Sequence, residues 1–93
     1  MRIEDRRAEI DDIDAALTRL LNRRAQLAIE VGLLKRTAGL PVCDPERERA
    51  VLRKARAAND GPLDDDAITK LFRCIIRESR RVEARRLVEQ ARA

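Results

Sequence analysis

Residues Ile10–Leu34 read IDDIDAALTRLLNRRAQLAIEVGLL, and one spacing runs through them: Ile10, Ile13, Leu17, Leu20, Arg24, Leu27, Val31, Leu34. The steps alternate between three and four residues, which is the seam of a long helix that packs against other helices. Seven of these eight positions are aliphatic and the eighth is Arg24. A guanidinium keeps its proton inside a protein. Left unpaired in an apolar seam it is costly, so it must snorkel, meet a carboxylate, or await an anionic ligand.

Working outward, the pattern predicts helix 1 from about Ile3 to Ala38. Gly39 stands ready as a C-cap and Pro41 blocks continuation. The connection through Leu40, Pro41, Val42 and Cys43 is short. Asp44-Pro45-Glu46 then opens helix 2, with Asp44 as N-cap, Pro45 at the first helical position and Glu46 complementing the helix dipole. Helix 2 should present Glu48, Val51, Leu52 and Ala55 inward and end near Ala57–Asn59. Asp60-Gly61-Pro62 is the break. Helix 3 begins at Asp64–Asp66 and carries Ile68, Leu71, Phe72, Ile75 and Ile76 towards the C-terminus.

The fold class is therefore all-α, with three helices, one of them long, in a single domain over residues 1–93. Composition agrees. Hydrophobic residues make up 44% of the 93 residues, almost all Ala, Leu, Ile and Val, and Phe72 is the only aromatic. Charged residues make up 41%, with signs mixed along the chain, which suits amphipathic helices and argues against a sheet. Helix 1 would be about 50 Å long at 1.5 Å per residue. That exceeds the width of a compact domain of this size, so part of the seam is expected to meet a second copy of the chain.

The net charge is +4. Nucleic acid is disfavoured as a partner, because acids and bases are interleaved and no aromatic residues are placed for base stacking. The arginines at the end of helix 3, including Arg80, Arg81, Arg85 and Arg86, read as a solvated helix end beside Glu78, Glu83 and Glu89. No apolar run of 18 residues and no signal-peptide pattern occurs, which predicts a soluble cytoplasmic protein with no membrane partner. Cys43 and Cys74 lack metal-ligand spacing and the chain has no His. They read as two reduced thiols.

Polar residues on otherwise apolar faces carry the functional reading. Lys35 lies eleven residues beyond Arg24, returns to nearly the same direction on the helix, and stands about 16 Å along it. Two long cationic side chains can grip a small molecule across that gap. Glu48 is on the inward face of helix 2. Continuing Phe72 and Ile76 along helix 3 by steps of three and four lands on Ser79 and Glu83. The set holds no Ser–His pair, no thiol–His pair and no metal cluster, so such a pocket would bind a polyanion and stabilise charge rather than attack it. Each residue also has a structural alternative. Arg24 could fix register in a dimer seam. Lys35 could be a dipole partner, Asp44 a plain N-cap and Glu48 a surface partner of Arg47. Ser79 could bond back to its own helix, and Glu83 could be a rim acid beside Arg80 or Arg86.

Three stretches together resemble a known family. They are Arg7–Asp14 with Leu20–Gly32 and Lys35, then Pro41–Arg49, then Ile68–Phe72 through Ile75–Ser79. The chain resembles the all-α, class II (AroQ-type) chorismate mutases over nearly its whole length. The resemblance implies an intertwined, domain-swapped homodimer with two active sites, each roofed by both chains. It implies conversion of chorismate to prephenate by a Claisen rearrangement, in phenylalanine and tyrosine biosynthesis, with no cofactor and no covalent intermediate. By the same resemblance, Arg24 and the partner chain's copy of Arg7 grip the substrate carboxylates. Lys35 holds the substrate and bonds its ether oxygen. Asp44 and Glu48 lie near the ring hydroxyl, Arg47 supports the site, and Ser79 sits near a carboxylate. Glu83 departs from the Gln of many bacterial members beside the ether oxygen, where a carboxyl donates a hydrogen bond only when protonated. Catalytic roles would fall to Arg24, Lys35 and Glu83. Arg7 and Arg24 are seventeen residues apart, about 25 Å along one helix. An antiparallel dimer could bring Arg7 of one chain near Arg24 of the other. An isochorismate pyruvate lyase of the same fold, or a non-catalytic helical dimerisation domain, are the alternatives.

Overall fold

The computed structural model describes residues 2–92, so Met1 and Ala93 of the expected 1–93 domain lie outside the described residues. Three helices account for most of the chain: α1 (Ile3–Thr37), α2 (Pro45–Ala57) and α3 (Asp65–Arg92). Each boundary has a local cause. At the end of α1, Gly39 takes φ +69°. Leu40 N–H then donates to the Lys35 carbonyl at 2.8 Å and Gly39 N–H to that of Arg36 at 3.2 Å. This paired capping needs a left-handed residue, which Gly supplies at least cost. At α2, the Asp44 carboxylate accepts from Arg47 N–H at 3.1 Å and Pro45 takes the first turn. At α3, Asp64 accepts from Ala67 N–H at 2.8 Å. The intervening turn is tied by Asn59, whose amide donates to the Leu63 carbonyl at 2.8 Å and to Asp65 at 2.9 Å.

Helix α3 is the element against which both α1 and α2 pack. Apart from Arg24, which reaches Ser79, the face of α1 turned to α3 is not the heptad seam. It is the neighbouring stripe of Ala25, Ala28, Ile29, Gly32 and Leu33, each buried or half-buried. Three of these five are Ala or Gly, small enough to let α3 approach closely. The seam itself is left bare. Leu20 is 66% exposed and Leu34 is 69% exposed, and Ile10, Ile13, Leu17, Leu27 and Val31 are exposed as well.

The resulting core is thin. Among the described residues only Ile29, Gly32 and Ser79 are buried. The chain measures 55 × 29 × 15 Å with a radius of gyration of 16.6 Å. A compact domain of this length would have a radius near 12 Å. The excess comes from α1, whose N-terminal half projects past α2 and α3 as an almost wholly exposed rod.

Candidate active site

The three helices, with Val42 and Asp44 of the connection before α2, line an open pocket of about 310 Å³, at the small end of the range for ligand sites. Its apolar wall is built from Leu27, Val31, Val42, Val51 and Ile76. Its polar groups come from every element. Helix α1 supplies Arg24 and Lys35, the turn into α2 supplies Asp44, α2 supplies Arg47 and Glu48, and α3 supplies Ser79, Arg80 and Glu83.

Arg24 reaches across from α1 to α3, where its Nη1 donates to Ser79 Oγ at 3.2 Å. Ser79 is only 7% exposed, so the bond fixes the guanidinium at the deep end of the pocket. Ser79 is neutral and Arg24 makes no salt bridge among the described residues, which leaves its guanidinium open to an anion. One turn further along α3, the Glu83 carboxyl lies over Gly32. A Cβ built on Gly32 would stand 3.5 Å from Glu83 Oε2. Burial pushes the Glu83 pKa above its ordinary value, and Lys35, Arg80 and Arg24 oppose that rise in decreasing order. Glu48 is held by Arg80, with Nη1 to Oε1 at 3.1 Å. Asp44 is engaged as the cap of α2 and still faces the pocket.

Four cations face three carboxyls here, so the lining carries +1 with all acids ionised and +2 when Glu83 is protonated. The apolar walls lower the local dielectric and strengthen that field. Among the described residues no cluster of His, Cys, Asp and Glu could hold a metal ion. Cys43 and Cys74 are free thiols, both exposed. What the arrangement offers is a cationic cleft for a small, multiply charged anion, with Lys35 and Glu83 together in its wall.

Seven of the eight residues singled out in the sequence converge on this pocket: Arg24, Lys35, Asp44, Arg47, Glu48, Ser79 and Glu83. Arg7 does not. It stands on the exposed N-terminal part of α1, outside the pocket of its own chain. Arg80 is the reverse case and corrects the reading of the arginine-rich end of α3 as uniformly solvated. It lines the pocket and pairs with Glu48. The signal was available in the spacing, because Ile76, Ser79, Arg80 and Glu83 fall at i, i+3, i+4 and i+7 on one helical face.

The fold and the pocket define an all-helical domain with a cationic cleft of a size for a small anion. The chain belongs to the chorismate mutase type II family, whose model matches residues 6–84. It is 49% identical over 77 residues to a bifunctional chorismate mutase/prephenate dehydratase of Neisseria gonorrhoeae, a match covering 83% of this chain and 21% of that protein. It is 28% identical over 89 residues to the chorismate mutase of Methanocaldococcus jannaschii, covering 95% of this chain and 90% of that one. Among solved structures, a chorismate mutase of Thermus thermophilus superposes with a TM-score of 0.87 at 40% identity, covering 91% of this chain and 97% of that one. A Helicobacter pylori chorismate mutase in complex with prephenate superposes with a TM-score of 0.85 at 29% identity, with 94% of each chain covered. Several of the curated relatives are longer proteins, and this chain spans about a fifth of their length.

Proposed function

We propose that this chain is a chorismate mutase domain that converts chorismate to prephenate. The carrying observation is the convergence of Arg24, Lys35 and Glu83 on one positively charged pocket in a chain of this family. Chorismate is a dianion with a carboxylate on its ring and another on its enolpyruvyl side chain. The rearrangement breaks the ether C–O bond and forms a C–C bond within the same molecule, so it needs no external proton or electron. Catalysis consists of holding the compact diaxial conformer and stabilising negative charge on the ether oxygen. Arg24, set by Ser79, takes one carboxylate, and Arg47 adds a second cation to the field. Lys35 and a protonated Glu83 donate to the ether oxygen. Asp44 and Glu48 receive the ring hydroxyl.

The working unit in this reading is an intertwined homodimer of the 1–93 domain in the cytoplasm. The bare aliphatic seam of α1 supports it, as does the place of Arg7. Within one chain Arg7 is about 25 Å from Arg24 along α1. The partner's copy of Arg7 would close the open side of the pocket and take the second carboxylate.

A relative of different specificity sharpens the substrate assignment. The chain is 37% identical over 78 residues to a 4-amino-4-deoxychorismate mutase of Streptomyces venezuelae. An amino group on the ring is cationic and seeks an unpaired carboxylate. In this chain Arg80 already neutralises Glu48, which favours the hydroxyl of chorismate. The deciding experiment adds purified protein to chorismate, isochorismate and 4-amino-4-deoxychorismate in parallel, following loss of substrate absorbance and identifying the product. Prephenate from chorismate, with little turnover of the other two, is the expected result. Pyruvate release from isochorismate would assign the lyase reaction instead, and inertness towards all three would leave a non-catalytic dimerisation domain.

A further inference from the structure

On the outer side of α2 and α3 lies a second concavity of about 580 Å³. Its rim carries Arg49, Arg73, Arg77, Arg80 and Arg81, with Glu48 as the only acid of the lining. Arg77 and Arg81 share Glu78, and Arg80 is bridged to Glu48. Arg49 and Arg73 meet no carboxylate among the described residues. Counting both acids, these five arginines leave an excess of three positive charges, most of the +4 of the whole chain. The interleaving of charge along the sequence conceals this segregation in space.

The floor of the groove is apolar, formed by Pro45, Leu52, Ile76 and Ala84. None of the lining comes from α1, so the groove is separate from the bare seam. An apolar floor under a rim of guanidinium forks suits an acid with a flat hydrophobic body and carboxylates at its edges. Glu48, Ile76 and Arg80 line both this groove and the inner pocket. The Arg80–Glu48 pair is thus the wall between them. An anion that drew Arg80 outward would leave Glu48 without its cation.

We propose that the outer α2–α3 groove is a second anion site, for a small ring-bearing polycarboxylate, with the Arg80–Glu48 pair as the wall it shares with the inner pocket. A concave site of this size fits a small molecule, and the absence of stacking aromatics disfavours nucleic acid.

The test is an NMR titration of backbone amides with benzene-1,3,5-tricarboxylate as the probe. The expected result is saturable shifts at Arg49, Leu52, Arg73 and Ala84, retained in Arg24→Ala, which disables the inner pocket. In the Arg49→Gln/Arg73→Gln variant those shifts should weaken by about tenfold or more in affinity, since two charge-assisted contacts are lost. Both arginines are exposed, so the variant should keep its fold. Citrate, which lacks a ring, and benzoate, with a single carboxylate, should bind several-fold more weakly. The proposal is overturned if the probe shifts only residues of the inner pocket or if binding survives Arg49→Gln/Arg73→Gln. Equal binding of citrate also overturns it, as does occupation of the groove by a decaglutamate peptide in preference to the probe.

Discussion

Glu83 rests against the one residue of α1 that has no side chain to push it away: a Cβ at Gly32 would lie 3.5 Å from its Oε2. That distance is an ordinary van der Waals contact, so a methyl group fits. Gly32→Ala should therefore raise thermal stability, by up to about 0.8–1 kcal/mol for a helix-interior position, with turnover retained. Gly32→Val places branched carbons against the carboxyl and should lower kcat while the helices persist. Thermal melts and chorismate kinetics on the two variants check both halves.

The same carboxyl should set the pH dependence. Burial raises the Glu83 pKa against the opposing pull of Lys35, Arg80 and Arg24. With the acid form as donor to the ether oxygen, kcat falls as pH rises through the pKa of Glu83 in the substrate complex. Glu83→Gln donates at every pH and should flatten this limb, and one such donor is worth about 3–4 kcal/mol when fully lost. Stability follows the same sign. Between the unfolded and the raised folded pKa the native state holds the extra proton, so stability declines with rising pH across that window. Glu83→Gln should remove that decline. Saturating-substrate pH profiles and pH-dependent melts measure the two effects. A Glu83→Gln enzyme dead at all pH values would sink the donor role.

Arg24→Ala should cost about 2–5 kcal/mol of bound-state stabilisation. Helix content should stay near native, because Arg24 is only half-buried and its hydrogen-bond partner is the neutral Ser79 hydroxyl. Circular dichroism beside kcat/KM separates this outcome from a structural role. Unfolding of the variant would make Arg24 a structural ion.

Arg7→Ala and Arg24→Ala chains, each inactive alone, should regain activity when unfolded together and reassembled. A mixed dimer has one site that keeps both arginines, provided Arg7 crosses to the other chain. Absence of recovery, with heterodimers demonstrated by mass, would place both residues in the site of one chain.

The bare seam of α1 predicts assembly at micromolar concentration. Sedimentation should show a dimer, and a stable, active monomer would contradict it.

The helices were legible because their ends are written in local chemistry: Gly39 before Pro41, Asp44 before Pro45, the acidic run from Asp64. Arg24, Glu48, Ser79 and Glu83 were legible because they stand on otherwise apolar faces, Lys35 because it returns to the direction of Arg24, and Asp44 as the cap of α2, whereas Arg47 was legible only through the family resemblance. Arg80 carries the same spacing signal as the i+4 neighbour of Ile76, but a single row of threes and fours passes it by. The intramolecular face of α1 was also hidden. Ala25, Ala28 and Gly32 carry little hydrophobic signal, and the large aliphatic residues of the seam beside them outweigh them in the pattern. The basic groove escaped for a related reason, because Arg49 and Arg73 are distant in sequence and meet only when α2 folds onto α3.

The length of α1 acts as a ruler. Nothing but helical backbone separates Arg7 from Arg24, so in the proposed dimer their spacing is written directly in residue count. Deleting one residue between them would swing Arg7 by about 100° and shift it by about 1.5 Å. Deleting a full heptad would restore the direction but shorten the rod by about 10 Å. Chains of this architecture should therefore drift in length at the turns that join the helices, and hold α1 to a fixed tally between Arg7 and Arg24.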